Sequence, residues 1–218
     1  MAGATRDLVI GVLTGRRPDL LMRTVTSMRR NQADIWRSAA KVVVHNGGDS
    51  QTARILDRYG WDARVDVGSA DHLMTIGEAS QVLVQTMADT GAGWSLRLED
   101  DFEATSTRWW RVARHLIEQD GARQVRLQLD AERVMSRCMV CRQPIRWRTA
   151  GTHKIGHAHY THRASLMRTA DLHALLPYRS EVHAGERMHE HDVAQHVPGV
   201  FSHIGVRGRS LRRSGGST

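Results

Sequence analysis

Cysteine is scarce in this sequence, and long hydrophobic runs are missing from it. Two cysteines in 218 residues cannot form a disulfide scaffold. No apolar run approaches the roughly 18 residues that cross a bilayer. The apolar run Leu8–Leu13 is shorter than the about 7–15 residues of a signal-peptide core, and acidic Asp7 precedes it. These absences predict a reduced, cytoplasmic protein without a membrane segment.

Lysine is also rare, and positive charge is concentrated in the second half of the chain. Only Lys41 and Lys154 are lysines, so 29 of the 31 basic residues are arginine. Residues 1–121 carry 15 basic and 16 acidic groups, whereas residues 122–218 carry 16 basic and 7 acidic groups. The second half is therefore expected to face an anionic partner, with an ordinary solvated basic face as the alternative.

Short apolar runs alternate with amphipathic stretches over residues 1–121, and hydrophobic residues make up 40% of the chain, as in globular domains. The alternation predicts an α/β fold with a mostly parallel sheet that helices cover on both faces. The predicted strands are Leu8–Leu13, Val42–Val44, Arg64–Val67 and Trp94–Leu98. Later segments predict a half-exposed strand over Val125–Leu129, a polar helix over Ala184–His196 and a last strand over Gly199–Gly205.

Three polar segments follow predicted strands and are expected to meet at one edge of the sheet. They are Thr14–Arg16, Asn46–Asp49 and Glu99–Asp101. Three consecutive carboxylates repel one another, and a cation relieves that repulsion. Oxygen ligands suit Mg²⁺ or Mn²⁺, ions that commonly bridge a diphosphate. Glu99–Asp101 therefore predicts a site for such an ion. The alternative is an acidic cluster at a helix N-terminus.

Several segments, taken in chain order, resemble motifs of family-2-type glycosyltransferases with the GT-A fold. Leu98–Phe102 is similar to their acidic DXD-type motif, and His189–Asp192 to their late acidic pair. The other segments are Val9–Arg17, Asn46–Ser50, Ile76–Ser80 and Phe201–Gly205, the last similar to a histidine segment of some N-acetylglucosaminyltransferases. The resemblance implies one GT-A-like domain over residues 1–206, with a nucleotide-sugar half (1–121) and an acceptor half (122–206). Residues 207–218 are rich in arginine, glycine and serine and predict a basic flexible tail.

The resemblance also implies a metal-dependent inverting glycosyltransferase of the hexosyltransferase type, with a UDP-sugar donor and Mn²⁺ or Mg²⁺. It makes Asp101 the metal ligand, with His203 completing the coordination sphere; the alternative for His203 is a half-buried strand histidine. Asn46 stands where the family has an acid. The implied donor-binding residues are Thr14, Gly15, Arg16, Asn46, Asp49, Glu99 and Asp100.

The late acidic pair is expected to supply the general base, because an acceptor hydroxyl has a high pKa. Its position in the resemblance favours Glu190 as the base, with Asp192 as the alternative. The two are at i and i+2, so on a helix they do not share a face. An in-line base on the opposite face of the sugar implies inversion of the anomeric centre.

Trp147 lies between Arg146 and Arg148, a pattern that suits base stacking with phosphate contacts; the alternative, which the pattern favours, is an ordinary strand with one packed face. With the basic second half, it predicts DNA as the acceptor, in the form of a hydroxymethylated base such as phage DNA glucosyltransferases modify. A duplex acceptor would require base flipping. The alternatives are a polysaccharide or protein acceptor.

A non-catalytic protein is the rival hypothesis. Cys138 and Cys141 precede His157 and His162 at a spacing within the loose range of zinc sites, and His153 gives a shorter variant. Such a site would be tetrahedral and structural. This pattern predicts a nucleic-acid-binding module with structural zinc, whereas the alternative is two free thiols.

Overall fold

A computed structural model describes most of the chain. It covers residues 6–106, 109–128, 137–138, 140–158, 160, 163–177, 179–188, 192–195 and 199–204, with the backbone alone at 181, 192 and 195. The predicted basic tail 207–218, together with His162 and Glu190, lies outside these residues.

Strands and helices alternate through the first half of the chain, as the sequence predicts. The strands are β1 (Leu8–Thr14), β2 (Ala40–Asn46), β3 (Ala63–Val67), β4 (Trp94–Glu99), β5 (Phe102–Ala104), β6 (Gln124–Arg126), β7 (Trp147–Ala150), β8 (His153–His157), β9 (Ser165–Arg168), β10 (Asp192–Gln195) and β11 (Phe201–His203). The helices are α1 (Pro18–Asn31), α2 (Ala33–Ser38), α3 (Ser50–Leu56), α4 (Ile76–Asp89), α5 (Trp110–Glu118), α6 (Thr169–His173) and α7 (Glu181–Met188).

Nine strands form one sheet in the order β3-β2-β1-β4-β9-β6-β10-β8-β7. Within it, β8 and β9 pair antiparallel with their neighbours and the other seven strands share one direction. The predicted mostly parallel α/β sheet is therefore confirmed. The carboxyl ends of β1, β2 and β4 meet at one edge.

Helices cover both faces of this sheet, which explains why β1 is apolar without interruption. Ile10 and Val12 pack in a core beneath α1 and α5. Val9 and Leu13 face the other way, into a core beneath α4 and α7. Gly11 lies between, where an added Cβ would come 2.2 Å from Met87 Sδ, so the glycine allows α4 to pack closely on β1.

Two predictions for the second half are wrong. The predicted polar helix Ala184–His196 ends at Met188, and strand β10 follows at Asp192. Val193 and Ala194 are fully buried because β10 fills the place between β6 and β8, a long-range pairing that overrides local preference. The predicted strand Val125–Leu129 is not half-exposed: Arg126 and Gln128 are buried.

Polar side chains of α1 hold the segment that follows β4. Thr24 Oγ1 donates to the Asp100 carbonyl at 2.8 Å, and Ser27 Oγ accepts from the Ala104 N–H at 2.8 Å. Asn31 Nδ2 donates to the Ala104 carbonyl at 2.6 Å. Since each bond satisfies a backbone group, α1 determines the path of residues 100–104.

Candidate active site

A cavity of about 350 Å³ opens where β1, β2 and β4 end. Five predicted donor-binding residues line it together: Thr14, Gly15, Arg16, Asn46 and Glu99. The remaining wall consists of Leu13, Arg17 and residues 73–76. The cavity thus has an apolar side from Leu73, Met74 and Ile76 and a charged end at the carboxylates.

Asp100 ties the end of β4 to the loop after β1. Its carboxylate is fully buried, and Oδ2 accepts from Thr14 Oγ1 at 2.8 Å and from the Gly15 N–H at 3.0 Å. Oδ1 accepts from Arg17. Burial raises the pKa of Asp100, whereas the Arg17 charge and these hydrogen bonds act in the opposite direction. Asp100 therefore holds the loop and does not line the cavity.

Asp101 is the neighbour of His203, as the metal prediction requires. Asp101 Oδ2 lies 3.2 Å from His203 Nε2 and 2.8 Å from Arg17 Nη1. The pairing of β11 with β5 places the histidine there, and the Ile204 N–H donates to the Asp101 carbonyl at 2.8 Å. Asp101 Oδ1 is buried without a hydrogen-bond partner.

These two side chains fit a divalent cation. A buried carboxylate oxygen without a partner is costly, and a metal ion would satisfy it. Carboxylate oxygen and imidazole nitrogen are both ligands for Mn²⁺-type ions. Within the described part of the chain, no group of three or more His, Cys, Asp or Glu residues could hold a metal. Asp101 and His203 would therefore share the ion with the ligand's own oxygens.

Glu99 has a different environment from its two neighbours. It lines the cavity, and its Oε1 lies 3.9 Å from Arg97 Nη2. Burial raises the pKa of Glu99 to about 7; Arg97 opposes this shift, and Asp101 and Asp100 add to it. Near neutral pH, Glu99 is thus able to donate a hydrogen bond as well as accept one.

Asn46 and Arg16 hold the loop that forms the outer wall of the cavity. Asn46 Nδ2 donates to the Met74 carbonyl at 2.9 Å, and its Oδ1 accepts from the Met74 N–H at 3.0 Å. Arg16 Nη2 donates to the Ser69 carbonyl at 3.0 Å and also to the Ala70 carbonyl. The Asn46 amide pairs with both the carbonyl and the N–H of Met74, whereas a carboxylate would have no proton to donate to the carbonyl.

Asp49 lies beside the cavity but does not line it. Its Oδ1 accepts from the Thr52 N–H at 2.8 Å and caps α3, while Oδ2 lies 3.2 Å from His45 Nε2. Burial acts to raise the pKa of Asp49, but the hydrogen bonds from Thr52 and His45 outweigh it and lower the pKa. The geometry gives Asp49 the role of a helix cap.

The structure describes only part of the predicted late acidic pair. Glu190 lies outside the described residues, and Asp192 begins β10, opposite His157. Because Asp192 begins a strand, the rule that residues at i and i+2 of a helix do not share a face does not apply to it.

Arg146, Trp147 and Arg148 lie away from the cavity. Trp147 is in β7, the last strand of the sheet, five strands from β4 and so roughly 24 Å away. Following the strand pairings across the sheet, Trp147 is level with Ser95, whereas the carboxylates follow the far end of β4. Arg146 and Arg148 are exposed, and Trp147 packs on the core.

Among the residues that the structure describes, the predicted zinc ligands do not come together. Cys138 is buried and Cys141 half-buried, and both are free thiols. Neither joins His153 or His157 in a metal-binding group over the described ranges. His162 is outside those ranges.

Thr24 and residues 68–75 contribute to the site although no predicted motif contains them, and Arg17 contributes although its motif gave it no individual role. The sequence carries a signal for the bonds to residues 100–104, because hydroxyl side chains occur within the apolar face of α1, beside Leu21, Val25 and Met28. A signal for Arg17 is its position as the second of two consecutive arginines that follow a strand. Residues 68–75 carry no such signal.

Solved structures of other proteins share the fold of this chain. S. aureus TarS 1–349 in complex with UDP-GlcNAc matches with 13% identity and a TM-score of 0.64, covering 93% of this chain and 59% of that one. The same protein with UDP matches with 13% identity and a TM-score of 0.63, over 90% of this chain and 60% of that one. GalNAc-T7 with UDP, GalNAc and Mn²⁺ matches with 11% identity and a TM-score of 0.63, over 93% and 44%.

These neighbours are GT-A-type glycosyltransferases, and the chain has their fold. It spans at most 60% of the length of the chains that it matches here. No protein-family model and no curated protein matches the sequence. Over the described residues, no helix has both the length and the apolar character needed to cross a membrane.

Substituting Asn46→Asp should loosen the outer wall of the cavity. The carboxylate would face the Met74 carbonyl without a proton to donate, at a cost of about 1–3 kcal/mol. Hydrogen exchange over residues 68–75 should accelerate at least about fivefold, since about 1 kcal/mol corresponds to that factor. Asn31→Asp makes the same chemical change at the Ala104 carbonyl and should leave these residues unaffected. Unchanged exchange in Asn46→Asp would contradict the assignment.

Proposed function

We propose that this protein is a glycosyltransferase that uses a nucleotide-sugar donor, a UDP-sugar, together with Mn²⁺ or Mg²⁺. The observation that carries the proposal is the pair Asp101–His203 beside a cavity at the carboxyl ends of β1 and β4. The buried, unpartnered Asp101 Oδ1 supports a cation there. The UDP, UDP-GlcNAc and Mn²⁺ bound to fold neighbours support the choice of ligands.

The cavity offers complementary surfaces for the parts of such a donor. Its apolar side, from Leu73, Met74 and Ile76, suits a base or ribose face. Its charged end carries Arg17 and Glu99, beside the Asp101–His203 pair. In this proposal Asp101 and His203 would hold the cation, whose chemistry there would be to neutralise charge on the departing diphosphate. Arg16 and Asn46 act indirectly, by holding residues 68–75 in place.

Transfer to an acceptor hydroxyl needs a positioned base, and the late acidic pair supplies it in our proposal. Glu190 is the preferred base and Asp192 the alternative. Attack on the face opposite the leaving group inverts the anomeric centre. This part depends on the motif resemblance, because the side chains of both residues lie outside the described ones.

Replacing Asp101 with Asn should remove the Mn²⁺-dependent part of UDP affinity and leave the fold intact. The amide keeps the shape of the side chain but loses the charge that holds the cation. Calorimetry of UDP with and without Mn²⁺ measures the effect. Glu103→Gln is the matched control, because Glu103 is a nearby acid that pairs with Arg23. If Asp101→Asn retains the Mn²⁺-dependent affinity, the metal assignment is wrong.

Replacing Glu190 with Gln should preserve UDP affinity and reduce transfer at least about 10²-fold, the usual contribution of a general base. The assay follows product formation at saturating donor, with calorimetry of UDP as the binding control. Asp192→Asn is the companion variant. If it is the one that loses transfer, then Asp192 is the base.

The acceptor is proposed to be a hydroxymethylated base in DNA. The charge asymmetry between the two halves supports an anionic acceptor, and phosphate is the obvious counter-charge. Because β7 lies roughly 24 Å from β4 across the sheet, and the cavity lies beyond the far end of β4, only an extended acceptor reaches both the arginines and the cavity; on DNA that is at least about seven base pairs. A polysaccharide or protein acceptor is the alternative.

A gain of one sugar in the mass of DNA containing hydroxymethylated bases would identify this acceptor. Single-stranded and duplex DNA, an oligosaccharide and a peptide should be compared with UDP-sugars and Mn²⁺. The double variant Arg146→Gln/Arg148→Gln should weaken transfer to long DNA through acceptor affinity and leave donor hydrolysis near normal. Transfer to the oligosaccharide or peptide alone would refute the DNA acceptor.

A further inference from the structure

Arg17 is positioned between the acidic residues and the cavity. Its Nη1 lies 2.8 Å from Asp101 Oδ2, and its Nη2 contacts Asp100 Oδ1, so one guanidinium spans two carboxylates. The side chain remains 41% exposed and lines the cavity. A cation that is both ion-paired and open to the cavity is able to exchange partners without unfolding its surroundings.

The preceding arginine does not have this freedom. Arg16 donates to the carbonyls of Ser69 and Ala70 and so holds the cavity wall. The backbone of Arg17 is fixed, because its carbonyl accepts from the Leu21 N–H at 3.0 Å at the start of α1. Only the guanidinium of Arg17 needs to move in order to leave the carboxylates.

Asp101 Oδ2 contacts both Arg17 and His203, and a divalent cation held by Asp101 and His203 would approach the same carboxylate. A guanidinium and a divalent ion repel each other, so they compete for this carboxylate. Asp100 would keep its hydrogen bonds from Thr14 and Gly15 when Arg17 leaves. The loop after β1 therefore stays attached to β4 in either state.

We propose that Arg17 is a displaceable cation that occupies Asp101 in the empty site and binds the donor's diphosphate once a divalent cation is held there. The inference depends on the proposed function and deepens it. It predicts that Arg17 opposes metal binding when no nucleotide is present and supports nucleotide binding when metal is present. Metal and nucleotide would then bind cooperatively, since each favours the same position of Arg17.

Binding measurements on Arg17→Gln test this directly. Free Mn²⁺, followed by electron paramagnetic resonance, gives the metal affinity with and without UDP, and calorimetry gives the UDP affinity. Without UDP, the variant should bind Mn²⁺ about tenfold more tightly. With saturating Mn²⁺, it should bind UDP about tenfold more weakly. Arg17→Lys, which keeps the charge but not the two-pronged contact, should fall between wild type and Arg17→Gln on both measurements.

Arg23→Gln is the control variant, because it removes one arginine from the same helix at an ion pair with Glu103. It should match wild type in both affinities. If Arg17→Gln and Arg17→Lys weaken Mn²⁺ and UDP binding in parallel, or change neither, Arg17 is structural and the inference is overturned. If the wild type binds neither Mn²⁺ nor UDP, the proposed function fails and this inference fails with it.

Discussion

Three consecutive carboxylates at the end of a buried strand repel one another, and the surrounding structure depends on how that repulsion is relieved. Two such charges 4 Å apart cost about 4 kcal/mol at an effective dielectric constant of 20. Asp100 is compensated by Thr14, the Gly15 N–H and Arg17, and Asp101 by Arg17 and His203. Burial of Glu99 raises its pKa to about 7, so this carboxyl group is partly protonated, and therefore partly uncharged, near neutral pH.

Each of these compensations also determines the position of a chain segment. The bonds to Asp100 fix the loop between β1 and α1, and α1 in turn holds residues 100–104 through Thr24, Ser27 and Asn31. The contact of His203 with Asp101 accompanies the pairing of β11 with β5. The same arrangement leaves Asp101 Oδ1 buried and without a partner. Because buried polar groups are normally hydrogen-bonded, this oxygen calls for a partner, and a cation would be one.

Much of this could be predicted from the sequence, because it depends on local pattern. The apolar strands, their alternation with helices and the meeting of Thr14–Arg16, Asn46 and Glu99 at one edge follow from periodicity and parallel-sheet geometry. Strand β10 could not be predicted, because long-range pairing with β6 and β8 outweighs local preference. The role of Asn46 also depends on tertiary structure, since its partner Met74 is 28 residues away.

A crystal structure of the protein with UDP and Mn²⁺ tests most directly whether this sheet edge is the donor site. The nucleotide should lie in the cavity between Gly15, Asn46 and Met74, with Mn²⁺ held by Asp101 and His203. Arg17 should have left Asp101 and should contact the diphosphate. Nucleotide bound elsewhere on the protein, or Mn²⁺ bound without contact to Asp101, would contradict the assignment of this edge as the donor site.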